Sequence, residues 1–437
     1  MKRKLITLLL SALVACVLIV MPVLAYSPFP MDADAPEIQG ALGYLSGEQA
    51  ADGSIGSYGD SAWVIMSIAA AGEDAREFGD PSVVDYVKDN ADFSGEFNLG
   101  TTYARMILAA VAANEDPSAF GPGDGTYVTD GNYLSALKAL YTEQEPPPGF
   151  EGEYYGQFED GFGDLDTMND DYWGLMALIA AGESQDSPMV QGVAAFIEAN
   201  QAFDGGWSWA TPDNPWYWGS DTDDTAAALM ALTAAGGASA PTIVDNALMY
   251  IKYNQGPNGG FLYDPSGTEN LASTVWAVDA LVAVGEDPTA PEWTTGANPI
   301  DFVMTYNKED GSFLDENAWS PNPYKDTADA IVTLLGKYYP IEAPYLGYTF
   351  EDPWRGTAVT INEETGTFRF TAPDGYDSGK VEAARMRVRH GRITIWHNDD
   401  DIRFVCRANL NRDFCFGLLL DKETWTRYLI YDPWGVE

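Results

Sequence analysis

Apolar residues recur at helical spacing in paired segments from about Pro36 to Pro340, and one theme repeats through that stretch. An apolar segment ends in a turn rich in Gln and Asn that carries Asp-Gly or Gly-Gly. A polar, aromatic loop follows, and Asp-Thr-Ala or a relative then opens a second segment closing on Ala-Ala-Gly-Glu. The pairs are 38–49 with 66–72, 83–88 with 101–113, 133–141 with 171–182, 190–200 with 227–236, 243–254 with 272–285, and 300–307 with 326–336. The second segments are almost free of charge after their first turn, which predicts an inner layer. The first segments carry Lys138, Glu198 and Lys252 and suit an outer layer. A helical hairpin cannot bury its apolar face alone, so the pairs must stack. The first pair should also meet the sixth, because an open end leaves side chains such as Trp63, Val64, Ile65 and Met66 in water at roughly 1.5–3 kcal/mol each. The fold expected is mainly α: a single (α/α)6 toroid of six helical hairpins, followed by a small all-β C-terminal domain.

That last domain is predicted where the pattern changes, after Pro340 and Pro344. Strict alternation appears at 358–361, 367–370, 385–388, 392–396 and 402–405, with Gly-Thr and Asp-Gly at the turns. The domains expected are 1–25 as a signal peptide, 26–344 as the helical repeats and 345–437 as the β-rich domain. The β segments carry Arg385, Arg387, Arg389, Arg392, Arg403, Arg407 and Arg412, which suit either docking on an acidic surface or a solvated face.

Charge sharpens the division. The chain's formal charge is −43, and residues 26–344 hold 51 Asp and Glu against 8 Lys and Arg, whereas 345–437 hold 15 against 12. So acidic a surface repels nucleic acid and excludes it as a partner of the helical domain. At the N-terminus, Lys2-Arg3-Lys4, the apolar run 5–20 and Val23-Leu24-Ala25 form the pattern of a secretory signal peptide cleaved after Ala25. Retained instead, the same run just spans a bilayer and keeps the chain beside a membrane. Either way the body is expected outside the cytoplasm, extracellular or at the cell surface. Beyond Cys16 only Cys406 and Cys415 remain. They flank 407–414 symmetrically, as opposite positions of a hairpin do, and export favours a disulfide between them over two buried free thiols.

The stretch richest in chemistry runs from Gly205-Gly206-Trp207-Ser208-Trp209 through Trp216-Tyr217-Trp218 to Asp221-Thr222-Asp223-Asp224-Thr225-Ala226. Adjacent carboxylates raise one another's pKa, so Asp221, Asp223 and Asp224 are candidates for an acid that keeps its proton, and indole faces stabilise cations. The stretch resembles the squalene–hopene cyclase family in its glycine–tryptophan turn, its Asp-Asn among aromatics and its Asp-Xaa-Asp-Asp-Thr-Ala element. The resemblance implies that Asp223 protonates an isoprenoid double bond. The plainer readings make Asp224 a helix cap, as at Asp60, Asp171 and Asp326, and Trp207 a wedge between repeats. Trp207, Trp209, Trp216, Tyr217 and Trp218 are the expected ligand contacts, with Trp216, Tyr217 and Trp218 having no counterpart in other repeats.

Residue types narrow the toroid families further. Protein prenyltransferases hold zinc with Asp, Cys and His, but both histidines, His390 and His397, lie in the β domain, so no metal is expected. Thioester domains need a Cys where Ser46 precedes Gly47-Glu48-Gln49. Vitamin B12 carriers, which join one toroid to a C-terminal β domain, resemble the whole layout and imply a corrinoid ligand. Asp164, Asp166, Asn169 and Asp170 suit weak Ca²⁺ binding or a solvated acidic loop. The function expected is an exported, non-catalytic protein that binds a hydrophobic or amphiphilic small molecule or another surface protein. The alternatives are a class II terpene cyclase acting through Asp223 and a structural cell-surface module.

Overall fold

Side-chain caps open most helices of the N-terminal unit, and they fix where each apolar segment begins. In the computed structural model the described residues are 27–90, 93, 98–121, 128–147, 154–159, 167–214, 217–343, 348–352, 354–362, 367–373, 375–378, 381–383, 385–389, 392–398, 402–409, 414–422 and 424–432. Among them are twelve α-helices: α1 (Pro36–Gly47), α2 (Tyr58–Ala70), α3 (Val83–Asn90), α4 (Leu99–Ala112), α5 (Tyr133–Lys138), α6 (Asn169–Ala180), α7 (Pro188–Ala199), α8 (Thr222–Ala234), α9 (Pro241–Tyr253), α10 (Leu271–Ala283), α11 (Pro299–Met304) and α12 (Pro323–Leu334). The chain divides into two units after Glu342. The molecule is thus mainly helical, with a small antiparallel β unit at its C-terminal end.

The even-numbered helices are buried almost all round. In α8, Thr222 and every residue from Asp224 to Leu232 are buried, whereas α9 buries only Ala247, Tyr250 and Ile251. Packing follows this difference. Each even helix packs on the next, from α2 through α4, α6, α8 and α10 to α12, and α12 packs back on α2. The odd helices sit on the even helix that precedes them: α3 on α2, α5 on α4, α7 on α6, α9 on α8 and α11 on α10, with α1 completing the series on α12. The contact expected between first and last pairs is therefore made, and Val64, Ile65 and Met66 are fully buried.

Two small devices recur in the turns. Backbone N–H groups of Ile55, Phe158, Trp207, Phe261 and Phe313, each just past a turn, donate at 2.8–3.0 Å to Ser61, Asp171, Thr225, Thr274 and Thr327 in the first turns of even helices. Gln49, Gln201 and Gln255 donate twice through Nε2: to the glycine carbonyl of their own turn, and to the backbone of the following pair at Phe78, Ile243 and Trp293. The side-chain amide thus ties one repeat to the next while satisfying two carbonyls. Gly205 needs its φ of +93°, and a Cβ there would stand 2.5 Å from the Asn246 carbonyl oxygen.

Among the described residues the β unit holds two antiparallel sheets, one in the order β5-β6-β7-β8 (Tyr348–Asp352, Thr357–Asn362, Thr367–Thr371, Val381–Glu382). The other runs β13-β12-β11-β10-β9 (Arg427–Asp432, Phe414–Asp421, Ile402–Asn409, Arg392–Asn398, Arg385–Arg389). Phe368 of β7 stacks on Phe404 of β11 at 4.4 Å in a core shared with Val359, Ile361, Phe370 and Ile395. The expected disulfide is not formed. Cys406 and Cys415 are buried thiols with sulfurs 3.3 Å apart. The hairpin turns one residue later than symmetry about the cysteines requires. Cys406 therefore faces Gly417 and Cys415 faces Ala408, which leaves the thiols diagonal to each other on the inner face. Shorter pairs, β1–β2 (Tyr141–Glu143, Gly156–Phe158) and β3–β4 (Phe261–Leu262, Glu269–Asn270), lie in loops of the helical unit. The signal-peptide reading of 1–25 lies outside the described residues, among which no helix is long and apolar enough to cross a membrane.

Candidate functional site

The starts of the even helices gather at one end of the helical unit. Asn322 Nδ2 before α12 donates to Asp60 Oδ1 in α2, and Asn98 Nδ2 before α4 donates to Thr167 Oγ1 before α6. Met168 N donates to the carbonyl of Trp209 in the loop before α8, Thr222 N donates to the carbonyl of Tyr263 before α10, and Leu271 N donates to Asp315 before α12. Each loop leans back on the neighbouring helix start, and the aspartate triplet lies in this mouth.

The capping register differs from the sequence reading. Asp221 is the N-cap of α8, accepting from Asp224 N at 2.8 Å, so Asp224 is the third helical residue. Likewise Asp60 completes a capping box with Ser57, Asn322 caps α12 ahead of Asp326, and Asp171 holds Phe158 N. The reason is geometric: a cap side chain reaches an N–H two or three residues ahead of it, so a carboxylate adjoining the apolar run already lies inside the helix.

Burial dominates the electrostatics. Desolvation first, and the Asp221 charge second, push the Asp223 carboxyl to about 7, while the Ser273 hydroxyl and Lys325 pull the other way. Burial likewise raises Asp221 and Asp224, which share a hydrogen bond, and it lifts Asp326 to about 7 and Asp279 well above the usual range. Asp223 is half-buried, and its Oδ1 is enclosed without a well-formed hydrogen bond among the described residues.

Below the mouth the centre of the helical circuit is filled. Trp63, Trp173 and Trp276 lie two residues beyond Ser61, Asp171 and Thr274 on three alternate even helices, and their rings meet edge to face at 5.2–6.2 Å. Tyr339 touches all three at 5.3–5.8 Å. The equivalent places on α4 and α8 are Ala104 and Ala227, so large and small residues alternate around the centre. Lys325 Nζ stands 4.4 Å from the Trp63 centroid and 5.1 Å from that of Trp276, and it is bridged to Asp329 Oδ2 at 2.5 Å. Sequence reading missed Lys325, Asp329 and Tyr339; a lysine immediately before Asp326, at the start of the sixth pair's second segment, was the available signal.

The aromatic expectations divide. Trp207 is wholly buried, with Nε1 donating to the Ile197 carbonyl of its own pair at 2.7 Å, which places it in the core and not at a ligand-facing surface. Trp209 and Tyr217 are half-buried, Trp218 is 84% exposed, and Trp216 lies outside the described residues. Tyr263 is 44% exposed and close enough to Asp221, Asp223 and Asp224 for their charges to raise its hydroxyl, after burial. Among the described residues no cluster of His, Cys, Asp and Glu is arranged to hold a metal ion, and Asp164 and Asp166 of the suggested Ca²⁺ loop lie outside them.

No protein-family model matches the chain, and no curated protein does. Among solved structures, that of a point-substituted glycosidase is similar over 68% of this chain and 95% of its own, at 10% identity and a TM-score of 0.44. A similarity of that size says nothing of this chain's chemistry.

Proposed function

We propose that the helical unit is a closed (α/α)6 toroid and that the protein is an exported, non-catalytic binding protein that meets its ligand at the mouth loops. The observation that supports this most is the filled centre. Trp63, Trp173, Trp276 and Tyr339 pack on one another where an isoprenoid chain would have to lie, and Lys325 already supplies the cation their faces attract. The surface left for a ligand is the rim, where Tyr263 stands beside the carboxylates and Tyr217 and Trp218 lie in the loop that leads into α8. Aromatic faces beside acids suit an amphiphilic small molecule with a polar or cationic head. Mass spectrometry of the protein purified from its exporting host tests this: a bound small molecule is expected, and Trp218→Ala should lose it. Retention of the molecule by Trp218→Ala would overturn the rim assignment.

A second reading rests on one observation, the proton that Asp223 keeps near neutrality. Such an acid is what a class II cyclase needs. Incubation with squalene or a shorter isoprenoid separates the readings. No cyclised product is expected from the wild type. A product that vanishes in Asp223→Asn would replace the first reading with the second.

A further inference from the structure

Antiparallel sheets with one solvated face normally turn polar side chains outward. The outward face of the five-stranded sheet in the β unit mixes them with large apolar ones. Its register places Arg385, Trp396, Val405, Leu418 and Leu429 side by side across all five strands. Trp396, Val405 and Leu418 are 46%, 39% and 44% exposed, and the exposed side chains of Arg385, Arg403 and Arg407 lie in the same row or in rows beside it. The helical unit carries the opposite arrangement. A groove of about 450 Å³ runs between α9 and the single turn Pro291–Trp293, lined by Leu248, Met249, Lys252, Tyr253, Glu292 and Trp293. Met249 and Tyr253, one helical turn apart, are 69% and 76% exposed. Its rim is acidic on balance: Lys252, held over the Trp293 ring and by Gln255 Oε1, stands against Glu292, against Glu286, which accepts from Trp293 Nε1 at 3.2 Å, and against the exposed Asp245 one turn before Met249.

We propose that these two surfaces are the halves of one interface between copies, with the arginine-rimmed sheet face of one molecule seated on the α9 groove of the next. Each surface alone is an apolar patch that water disfavours. Together they match in both respects, apolar centre to apolar centre and arginine rim to carboxylate rim. Arginine also suits carboxylates better than lysine does, through its planar fork of donors. The chain as a whole reinforces the choice of partner. Its helical unit is strongly acidic, so two such units repel, and only the β unit offers a face that attracts one. Because the two surfaces differ, the contact is heterologous and repeats head to tail. The assembly goes beyond ligand binding at the mouth and uses none of its residues.

Sedimentation velocity at rising protein concentration tests the assembly. The wild type is expected to grow beyond the monomer, and high salt should reverse this by screening the rims. A sheet-face variant, Arg403→Glu with Arg407→Glu, and a groove variant, Met249→Glu with Tyr253→Glu, should each stay monomeric. Mixed in equal amounts they should form a dimer and stop there, since each keeps one intact half. A wild type that stays monomeric throughout overturns the proposal. So does a groove variant that still dimerises alone, which means sheet faces pairing with each other, or a mixture that gives no dimer from variants with wild-type circular dichroism and melting. Hydrogen exchange on the wild type guards against misfolded variants. Protection should rise with concentration in 244–253 and in 394–407 together, and a rise in neither also overturns it.

Discussion

Asp223 shows how one carboxyl can be legible in type and illegible in role. The triplet predicts mutually raised pKa values, but the contributions of burial, Ser273 and Lys325 depend on helices that only the fold brings together. The raised values have a thermodynamic consequence. For Asp223 and Asp326 the folded form keeps its proton up to about 7 while the ordinary value is 3.8. Stability from that proton is complete below 3.8 and is lost as pH rises through about 7. Thermal melts should therefore show the helical unit losing stability from about pH 4 to pH 7, and Asp223→Asn should flatten that slope. An unchanged slope in the variant would mean that Asp223 is ionised in the fold. The cysteines carry a prediction at the same scale. Diagonal thiols 3.3 Å apart in a closed core need only a small rotation to bond, so an oxidising solution should give a product two hydrogens lighter by intact mass. Full alkylation of the unfolded, unreduced, oxidant-treated protein would sink this.

At the scale of elements, the repeat was readable because its parts recur: an apolar run, a Gly turn, a small hydroxyl residue entering a second run. What the pattern hid was who holds whom. Gln201 reads as a polar end to α7, yet its amide spans to Ile243 in the next pair, and Gln49 and Gln255 do the same. Sequence spacing carries no sign of a partner 42 residues away. The cap register was similarly hidden, because any of the four neighbouring polar residues 221–224 satisfies the pattern and only the backbone picks Asp221. The clamp makes a direct prediction. Gln201→Ala removes both donors from carbonyls that are part-buried, and it should cost on the order of 1–3 kcal/mol in chemical denaturation. Gln191→Ala, on the exposed side of the same helix, should change stability by no more than about 0.5 kcal/mol. Equal losses at the two positions would show that the clamp bonds are replaced by water at little cost.

At the scale of the whole molecule, charge and core are divided along the same line. The helical unit and the β unit each close their own apolar cluster, and the acid excess belongs to the first, with 51 acidic against 8 basic residues in 26–344 and 15 against 12 beyond. A folded body so charged repels itself, and the repulsion is relieved on unfolding because the charges move apart. Salt shortens the reach of that repulsion, from about 30 Å at 0.01 M to about 3 Å at 1 M. In dilute solution at neutral pH, added salt should raise the transition followed by helical circular dichroism. The β unit, close to charge balance, has little repulsion to relieve, so a transition followed through its own near-ultraviolet signals should hardly move. Equal shifts of the two transitions would show that the salt acts by general exclusion from protein surface and not by screening. A shift confined to the helical transition is the expected result, and it should shrink as the acids are protonated below about pH 4.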